Sequence, residues 1–407
     1  MTISPLAPEG FPELAPIDGV TLSTAASGMK YTGRDDMMLM RLDEGTALAA
    51  VFTLSDTAAA PVKWCRERVS EGIPTRAVLV NAGNANAFTS IGGMEAVTSC
   101  CRGIASALGC DVGAVMMAST GVIGEPLAYA DLARHFPALA SGQASWQSAA
   151  EAIRTTDTFA KGASATATIS GTEVKITGIA KGSGMIAPNM ATMLGFIATD
   201  AAIPQAILAA LLADATRRSF NAITVDSDTS TNDSVFLAAS GKAGNAQVSG
   251  PDDPELGGFR AALNEVMQDL AKQIVRDGEG ASKFITIDIS GATDDSAAHR
   301  IGLAIANSPL VKTAIAGEDA NWGRIVMAIG KAGAAVDQSR IGVTIGGIRI
   351  AADGARVETY DETPVAAHMK GQMIDIDVSV GTGAGTARIW TCDLTHGYIS
   401  VNADYRS

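Results

Sequence analysis

A threonine at the junction between a polar loop and an apolar segment is the residue of this chain best suited to act as a nucleophile. Residues 181–200 have the sequence KGSGMIAPNMATMLGFIATD. The first half contains glycines and the cation of Lys181, and an apolar run begins directly after Thr192. Such a run predicts a buried strand or a buried helical segment, so the hydroxyl would be anchored on one side and accessible on the other. The same pattern is also typical of a threonine that caps a helix or a strand.

Two other loops contain residue types that could stabilise or bind charge. Thr120 and Gly121 follow an apolar segment at 114–118, and N–H groups exposed at the end of such a strand can face a developing negative charge. Glu279 lies between two glycines, directly after a long predicted helix. An ordinary turn explains the first loop equally well, and a helix C-cap explains the second. The residues alone therefore leave a functional and a structural interpretation open for both loops.

Other kinds of site have little support in the sequence. Residues 226–234, DSDTSTNDS, contain three aspartates, but their spacing and the missing glycine do not fit an EF-hand calcium loop. We interpret this block as a solvated loop or the edge of a pocket, and we expect no metal. The G-x-G pattern at 381–386 lies between predicted strands and opens no helix, so it is not a dinucleotide fingerprint. The histidines are too scattered for a zinc site or a Ser-His-Asp triad: His135, His299, His368 and His396.

The elements that must position these residues alternate between strand-like and helix-like segments. We predict strands at 46–54, 76–81, 114–118, 222–225, 235–239 and 284–289, a hairpin at 164–179 that turns at Ser170-Gly171, and helices at 60–72, 93–108, 127–138, 145–154, 203–218 and 254–276. This alternation predicts an α/β protein with a layered mixed α/β domain and with Thr192 at the start of a central strand. We expect this nucleophile-bearing domain to span 1–290. A second, smaller α/β domain at 291–407 would close the pocket.

Composition limits the class of protein. The chain has 407 residues, of which 47% are hydrophobic and 18% charged, as in a globular protein. A formal net charge of −13 argues against nucleic-acid binding, which requires a basic face. No apolar run has the length of a membrane span, and the N-terminus does not resemble a secretory signal. The 5 cysteines lack the spacing of a disulfide framework, which favours reduced thiols and a cytoplasmic location.

The segment KGSGMIAPNMATML resembles the motif of the ornithine acetyltransferases, also called the bifunctional glutamate N-acetyltransferases of arginine biosynthesis. Further blocks resemble the same family over nearly the whole chain, among them NAGNANAFT at 81–89. The resemblance implies that the chain cuts itself between Ala191 and Thr192 and that Thr192 becomes an N-terminal nucleophile. It also assigns the oxyanion hole to Thr120 and Gly121.

The resemblance further implies a set of substrate contacts, which by motif match are Thr158, Lys181, Thr192, Glu279, Asn402 and Ser407. Thr155 and Thr156 are close alternatives to Thr158. Lys181 suits a carboxylate and Glu279 suits a side-chain ammonium.

The implied reaction is a ping-pong transfer. The acetyl group would pass from N2-acetylornithine to Thr192 and then to glutamate, without a cofactor, and acetyl-CoA stays open as a second donor. A threonine at a new N-terminus needs no catalytic histidine, because its own α-amine can act as the base. The two fragments would remain together as a heterotetramer with two of each. The alternatives are an amidohydrolase or aminopeptidase with the same nucleophile, and a non-catalytic binding protein that does not cut itself.

Overall fold

The computed structural model describes residues 2–187 and 193–404. Over these ranges the strands are β1 (Val20–Ala25), β2 (Met37–Leu42), β3 (Ala47–Phe52), β4 (Ala77–Asn84), β5 (Val115–Val122), β6 (Lys161–Ile169), β7 (Thr172–Lys181), β8 (Leu194–Thr199), β9 (Ser234–Ala239), β10 (Phe284–Ala292), β11 (Gly342–Ile345), β12 (Ile348–Ala352), β13 (Ala355–Arg356), β14 (Met373–Ser379) and β15 (Gly385–Cys392). The α-helices are α1 (Ala60–Ser70), α2 (Ser90–Leu108), α3 (Tyr129–Ala133), α4 (Phe136–Ser141), α5 (Trp146–Ala152), α6 (Gln205–Arg217), α7 (Gly257–Arg276), α8 (Asp295–Ala306), α9 (Pro309–Ala316), α10 (Trp322–Gly330), α11 (Glu362–Met369) and α12 (His396–Asp404). None of the helices in these ranges is long and apolar enough to cross a membrane.

The strands form three sheets. The first sheet has the order β1-β2-β4-β5, the central sheet has the order β3-β9-β8-β7-β6, and the C-terminal sheet has the order β13-β12-β11-β14-β10-β15. Within the central sheet β8 and β9 are parallel, and the other neighbours are antiparallel. Strand β8, which follows the expected nucleophile, is therefore the middle strand of five.

The first sheet and the central sheet pack face to face, with helices on their outer sides. Phe196 of β8 belongs to one apolar cluster with Leu79 and Met117 of the first sheet. Its neighbour Ile197 points the other way, into a cluster that contains Leu270 of α7, because successive side chains of a strand lie on opposite faces. Every residue of β8 is buried. Burial on both faces explains why this strand is a continuous apolar run and not an alternating one.

The mixed α/β class is confirmed, as is the hairpin of β6 and β7, which turns at Ser170 and Gly171 with φ of 47° and 80°. The predicted strand at 222–225 is wrong. Residues Phe220–Ala222 form a 3-10 turn, and Ile223 makes only an isolated bridge with Trp390. The N–H of Thr224 donates to the carbonyl of Trp390 and that of Val225 donates to the carbonyl of Ile186, so successive residues bind different parts of the chain and no ladder with one strand continues. The apolar side chains here are buried, and apolarity alone does not show where a backbone finds its partners.

The C-terminal sheet shares one continuous apolar cluster with α7 and the central sheet. Its strand β10 (Phe284–Ala292) pairs with β14 and β15, so this sheet begins before residue 291. The division into domains 1–290 and 291–407 stays a prediction.

Candidate active site

The described residues nearest in sequence to Thr192 lie at one end of the central sheet. Ala191 and Thr192 themselves are outside the residues that the structure describes. Strand β8 begins at Leu194, whose partners in the sheet are Lys181, the last residue of β7, and Ser234, the first residue of β9. The chain that follows Thr192 therefore starts in the middle of the sheet, between two strand ends that carry polar residues.

The expected oxyanion hole lies at the end of the first sheet. Thr120 and Gly121 directly precede Val122, the last residue of β5, which runs parallel to β4, and Thr120 is buried. The backbone of Gly121 has a φ of 129°, and a Cβ there would lie 2.3 Å from the carbonyl carbon of Gly83. A side chain at this position would therefore force the two strand ends apart, so the close approach requires glycine.

One asparagine joins this strand end to the polar block at 226–234. The amide of Asn232 donates to the carbonyl of Ala85 at 2.6 Å and to the carbonyl of Ser119 at 2.9 Å. Asn232 is buried, and both acceptors belong to the first sheet or the loop that follows it. The block is thus the edge of a pocket, as one of the two interpretations of its sequence proposed.

The structure brings most of the expected residues together around one cavity of about 120 Å³. Its lining includes Thr120, Gly121, Lys181, Glu279 and Asn402, together with Thr155, Thr156 and Asn232. A groove of about 400 Å³ between the N-terminal arm and α5 is larger. Among the described residues that line it, Glu13 is the one charged side chain, and the groove contains none of the expected site residues. We therefore place the candidate active site in the smaller cavity.

Thr158 is not among the described residues that line this cavity. Its N–H and its Oγ1 both donate to the carboxylate of Asp277, and its Oγ1 accepts from the N–H of Ser4. Thr155 and Thr156 do line the cavity, and the hydroxyl of Thr156 lies 2.6 Å from that of Ser183. Ser407 is outside the described residues. The substrate contacts assigned to Thr158 and Ser407 stay predictions.

The ammonium of Lys181 is held by a buried network of charges. Its Nζ lies 3.8 Å from Asp157, and Asp157 also accepts from the Nζ of Lys161 at 2.7 Å and from the N–H of Gly182 at 2.6 Å. Lys161 in turn contacts Asp277 at 2.6 Å. The four side chains are almost completely buried. Buried charges are tolerated only when they are paired and hydrogen-bonded, and here two lysines balance two aspartates.

The network shifts the pKa values of its members in different directions. Burial lowers the pKa of Lys181, and the nearby Asp157 only partly offsets this. Burial alone would raise the pKa of Asp157, but Lys161 and Lys181 hold it below its usual value. Burial raises the pKa of Asp277, and the like charge of Asp157 adds to this shift, which Lys161 offsets only in part. Lys181 is thus a cation whose charge depends on its carboxylate neighbours.

Replacing Lys161 with methionine should destabilise the fold by about 3–5 kcal/mol at pH 7, because a buried ion pair loses one partner. The carboxyl groups of Asp157 and Asp277 would then have folded-state pKa values above the unfolded value of about 3.9. A raised acid pKa means that the folded state binds more protons, so the variant loses stability as pH rises. The loss in free energy of unfolding, relative to the parent chain, should therefore be larger at pH 7 than at pH 5.

Urea unfolding at the two pH values checks this result. The matched control is Lys63→Met, which removes an exposed lysine from α1 and should change stability little. Equal stability of Lys161→Met and the control at pH 7 would show that the network is not held by Lys161.

Glu279 lines the same cavity. Its Oε2 accepts from the amide of Asn402 on α12 at 2.8 Å, and its N–H donates to the carbonyl of Ser183. A Cβ at Gly184 would lie 2.5 Å from the Glu279 carboxylate. A Cβ at Gly280, where φ is 73°, would lie 2.3 Å from the nitrogen of Tyr398 on α12. Gly184 lets the carboxylate of Glu279 approach the loop after β7, and Gly280 lets α12 approach the turn that carries Glu279.

Replacing Asn232 with aspartate should impair both stability and acetyl transfer. The change keeps the size of the side chain but removes the two N–H donors, and each buried carbonyl left unpaired costs about 1–3 kcal/mol. Because the donors fix the strand end that carries Thr120, the transfer rate should fall as well. Thermal unfolding and the rate of acetyl transfer measure the two effects.

Asn321→Asp is the control for this change. Asn321 caps the N-terminus of α10, where aspartate is an equally good cap, and the contact of its amide with Asp319 that the change removes is exposed to solvent. Activity of Asn232→Asp equal to that of the control would contradict the role given to Asn232.

Asp157, Lys161 and Asn232 are functional candidates that the sequence did not reveal. The spacing of Asp157 and Lys161 is the only local signal, and it is equally typical of an exposed ion pair. Among the described residues, no group of three His, Cys, Asp or Glu side chains is placed to hold a metal ion. Asp226 and Asp233 of the polar block accept instead from backbone N–H groups.

The chain is similar to known proteins over its whole length. A family model described as the ArgJ family matches residues 21–407. The Arginine biosynthesis bifunctional protein ArgJ of Gluconobacter oxydans is 53% identical, over 100% of this chain and 96% of that protein. The protein of the same name from Zymomonas mobilis is 51% identical, over 100% of this chain and 99% of that protein. A solved structure of the Bacillus halodurans argJ protein is 43% identical with a TM-score of 0.49, and the match covers 51% of this chain and 96% of that chain. On the family model and the full-length identities, this chain belongs to the ArgJ family.

Proposed function

We propose that this chain is a self-cleaving acetyltransferase of arginine biosynthesis, which moves the acetyl group of N2-acetylornithine to glutamate. Membership of the ArgJ family supports an enzyme of this pathway, and its relatives are named as bifunctional proteins of arginine biosynthesis. The observation that carries the proposal for this chain is the cavity itself. Lys181 and Glu279, of opposite charge, line the same small space as the Thr120-Gly121 strand end.

This charge arrangement suits both proposed amino-acid substrates. N-acetylornithine and glutamate share an α-carboxylate, and Lys181 is the cation that lines the cavity among the described residues. Glu279 supplies a carboxylate for the side-chain ammonium that ornithine has and glutamate lacks. Thr120 and Gly121 would supply the N–H donors for the oxyanion, and such a donor typically contributes about 2.7–4 kcal/mol.

The nucleophile would arise by cleavage of the Ala191–Thr192 bond. The hydroxyl of Thr192 would attack the carbonyl of Ala191, and its proton would pass to the amide nitrogen. The C–N bond then breaks, which leaves an ester between Ala191 and the side-chain oxygen of Thr192 and a free α-amine on Thr192. Water would then hydrolyse the ester and leave Thr192 with a free α-amine and a free hydroxyl. In the transfer reaction this amine takes the hydroxyl proton as Oγ attacks the acetyl carbonyl, and it returns the proton to the leaving ornithine. In the second half of the reaction the steps run in reverse: the amine of glutamate takes the acetyl group from Thr192, and Thr192 regains its hydroxyl proton.

The two fragments would stay together after cleavage. Strands β3, β7 and β6 belong to the fragment before the cut, and β8 and β9 belong to the fragment after it, yet all five form one sheet. The buried ion pair between Lys161 and Asp277 also joins the fragments. Separation would expose sheet edges and a buried charge, so we propose that the two fragments stay associated. Two copies of each fragment, a heterotetramer, is the assembly that the family resemblance implies. The unpaired thiols of all five cysteines support a cytoplasmic location.

An acetyl-transfer assay with two donors tests the proposal. Purified enzyme is given N-acetylornithine or acetyl-CoA, with and without glutamate, and N-acetylglutamate is measured. We expect transfer from N-acetylornithine that depends on glutamate, and the acetyl-CoA arm shows whether this donor is also used. The alternative function, an amidohydrolase with the same nucleophile, predicts release of acetate or peptide at a rate that glutamate does not change. The family favours transfer over hydrolysis.

A further inference from the structure

The polar block at 226–234, together with the residues beside it, contacts the chain on both sides of the expected cleavage site. Ile186 and Met193 are anchor points before and after the bond that joins Ala191 to Thr192. Both are buried, and both make backbone hydrogen bonds to residues between Thr224 and Ser234. This block and its neighbours therefore contact the chain both before and after the bond that we expect to be cut.

The anchor before the cleavage site is built on Asp226. Its two carboxylate oxygens accept from the N–H of Met185 at 2.6 Å and from the N–H of Ile186 at 2.8 Å. Met185 has a φ of 57°, which a side-chain-bearing residue adopts only at a cost, and the paired acceptors stabilise this turn. The carbonyl of Ile186 accepts from the hydroxyl of Thr224 at 2.9 Å and from the N–H of Val225 at 2.8 Å. Both polar backbone groups of Ile186 are therefore bound by residues 224–226.

The anchor after the cleavage site is built on Asp233. Its Oδ1 accepts at 3.1 Å from the N–H of Met193, the nitrogen that is bonded to the carbonyl carbon of Thr192. The carbonyl of Met193 accepts from the N–H of Ser234. Asp233 is completely buried, and its Oδ2 has no hydrogen-bond partner among the described residues. Burial raises the pKa of Asp233 well above its usual value, so a neutral side chain should serve at this position as well as a charged one.

The two anchors are also tied to the oxyanion-hole strand. Asn232, which is next to Asp233, donates to the carbonyl of Ser119, and Ser119 precedes Thr120. One short block therefore fixes the position of the chain before the scissile bond, the chain after it and the candidate oxyanion donors relative to one another. A reaction in which a hydroxyl attacks the preceding carbonyl depends on this relative position, because misplacement by about 1 Å can cost about a hundredfold in rate.

We propose that Asp226 and Asp233 are positioning residues for self-cleavage: Asp226 holds the chain before the expected cleavage site, at Met185 and Ile186, and Asp233 holds the chain after it, at Met193. This inference rests on the proposed self-cleavage. It assigns the carboxylates to binding backbone N–H groups, and it assigns no proton transfer to them. Asp226 needs both of its oxygens for this task, whereas Asp233 needs one.

The rate of cleavage in full-length chains during cell-free synthesis tests the proposal on a denaturing gel. Asp226→Asn replaces one acceptor with a donor, and Asp233→Ala removes the acceptor; each should slow cleavage by about tenfold or more. Asp233→Asn keeps one acceptor oxygen and should cut within about threefold of the parent chain. The matched control is Asp228→Asn, an exposed aspartate of the same block, which should cut at the parent rate.

Three further arms separate positioning from general damage. Thermal unfolding shows which variants fold. If Asp226→Asn does not fold, Asp226→Glu replaces it as the test of Asp226, because glutamate keeps both oxygens but moves them. Hydroxylamine cleaves an ester intermediate, so it should not restore cleavage in variants whose attack step is impaired. Tyr398→Phe removes the hydroxyl that lies 3.3 Å from Asp226 and should leave cleavage unchanged.

The outcomes decide the proposal in every case. Parent-rate cleavage by folded Asp226 variants and by Asp233→Ala would overturn it, and so would rescue by hydroxylamine or a loss in Tyr398→Phe equal to that of Asp226→Asn. Asp233→Asn as slow as Asp233→Ala would also overturn it, because the charge and not the acceptor would then matter. A parent chain that never cuts would instead overturn the proposed function.

Discussion

Replacing Thr192 with alanine should leave the chain uncut and without acetyl-transfer activity. The change removes the one hydroxyl that both steps would use, first against the carbonyl of Ala191 and then against the acetyl group. Loss of a nucleophile that acts as a unit with its base removes nearly all of the covalent catalysis, on the order of 10⁶-fold in a well-studied protease. Intact-mass analysis of the purified chain and the acetyl-transfer assay measure the two losses.

Thr192→Ser is the matched variant for this prediction. It keeps the hydroxyl and should still yield fragments 1–191 and 192–407, with transfer reduced less than in the alanine variant. A Thr192→Ala chain that cuts itself, or an uncut parent chain with full activity, would contradict the role of Thr192 as nucleophile.

Replacing Glu279 with glutamine should weaken the use of N-acetylornithine strongly and leave self-cleavage intact. The carboxylate lines the cavity and accepts from Asn402, and we propose that it binds the side-chain ammonium of ornithine. Loss of one partner of a buried charge contact typically costs about 2–5 kcal/mol, which should appear in kcat/KM for N-acetylornithine. Cleavage involves no ornithine, so the fragments should form at the parent rate.

Two comparisons make this prediction specific. Glu265→Gln removes an exposed carboxylate from α7 and should change neither reaction. Gly184→Ala places a Cβ 2.5 Å from the Glu279 carboxylate, so it should displace that group and lower transfer even though Glu279 is present. Normal kcat and KM for N-acetylornithine in Glu279→Gln would show that the substrate pocket has been assigned wrongly.

Local sequence patterns predicted where helices and strands lie better than they predicted which residues these elements pair with. The hairpin of β6 and β7 was predictable because a glycine turn divides a long alternating segment, and the apolar run after Thr192 did indicate a buried strand. The segment at 222–225 has the same apolar character but forms no strand, because its N–H groups are divided between Trp390 and Ile186. The choice between these outcomes depends on residues distant in sequence, which no local pattern contains.

The same reason limits what the sequence could show of the site. Glu279 between glycines and the Thr120-Gly121 strand end were identified from their types and neighbours, with the family resemblance supplying their roles. Lys161 gave no signal of its own, because its importance comes from Asp277, which lies 116 positions away. The block that contains Asn232 was expected to be a solvated loop or a pocket edge, and Asn232 itself gave no signal, because its two carbonyl acceptors are at Ala85 and Ser119. Long-range pairing of polar groups decides these roles.

The composition of the polar block does not show that its aspartates differ in burial and in contacts. A run of aspartate, serine and threonine is typical of a solvated loop, and Asp228 is indeed exposed. Asp233 in the same run is completely buried. The difference is that the backbone of Met193 approaches only one of the two, and this approach depends on the parallel pairing of β8 with β9.

The most direct test of the proposed function is the mass of the fragment that begins at Thr192 during turnover. Enzyme mixed with N-acetylornithine in the absence of glutamate is quenched, and the intact masses of both fragments are measured. The account predicts one acetyl group on fragment 192–407, located at Thr192, which disappears when glutamate is added as N-acetylglutamate forms in equal amount. Transfer to glutamate without acetylation of this fragment, or acetylation at another residue, would contradict it.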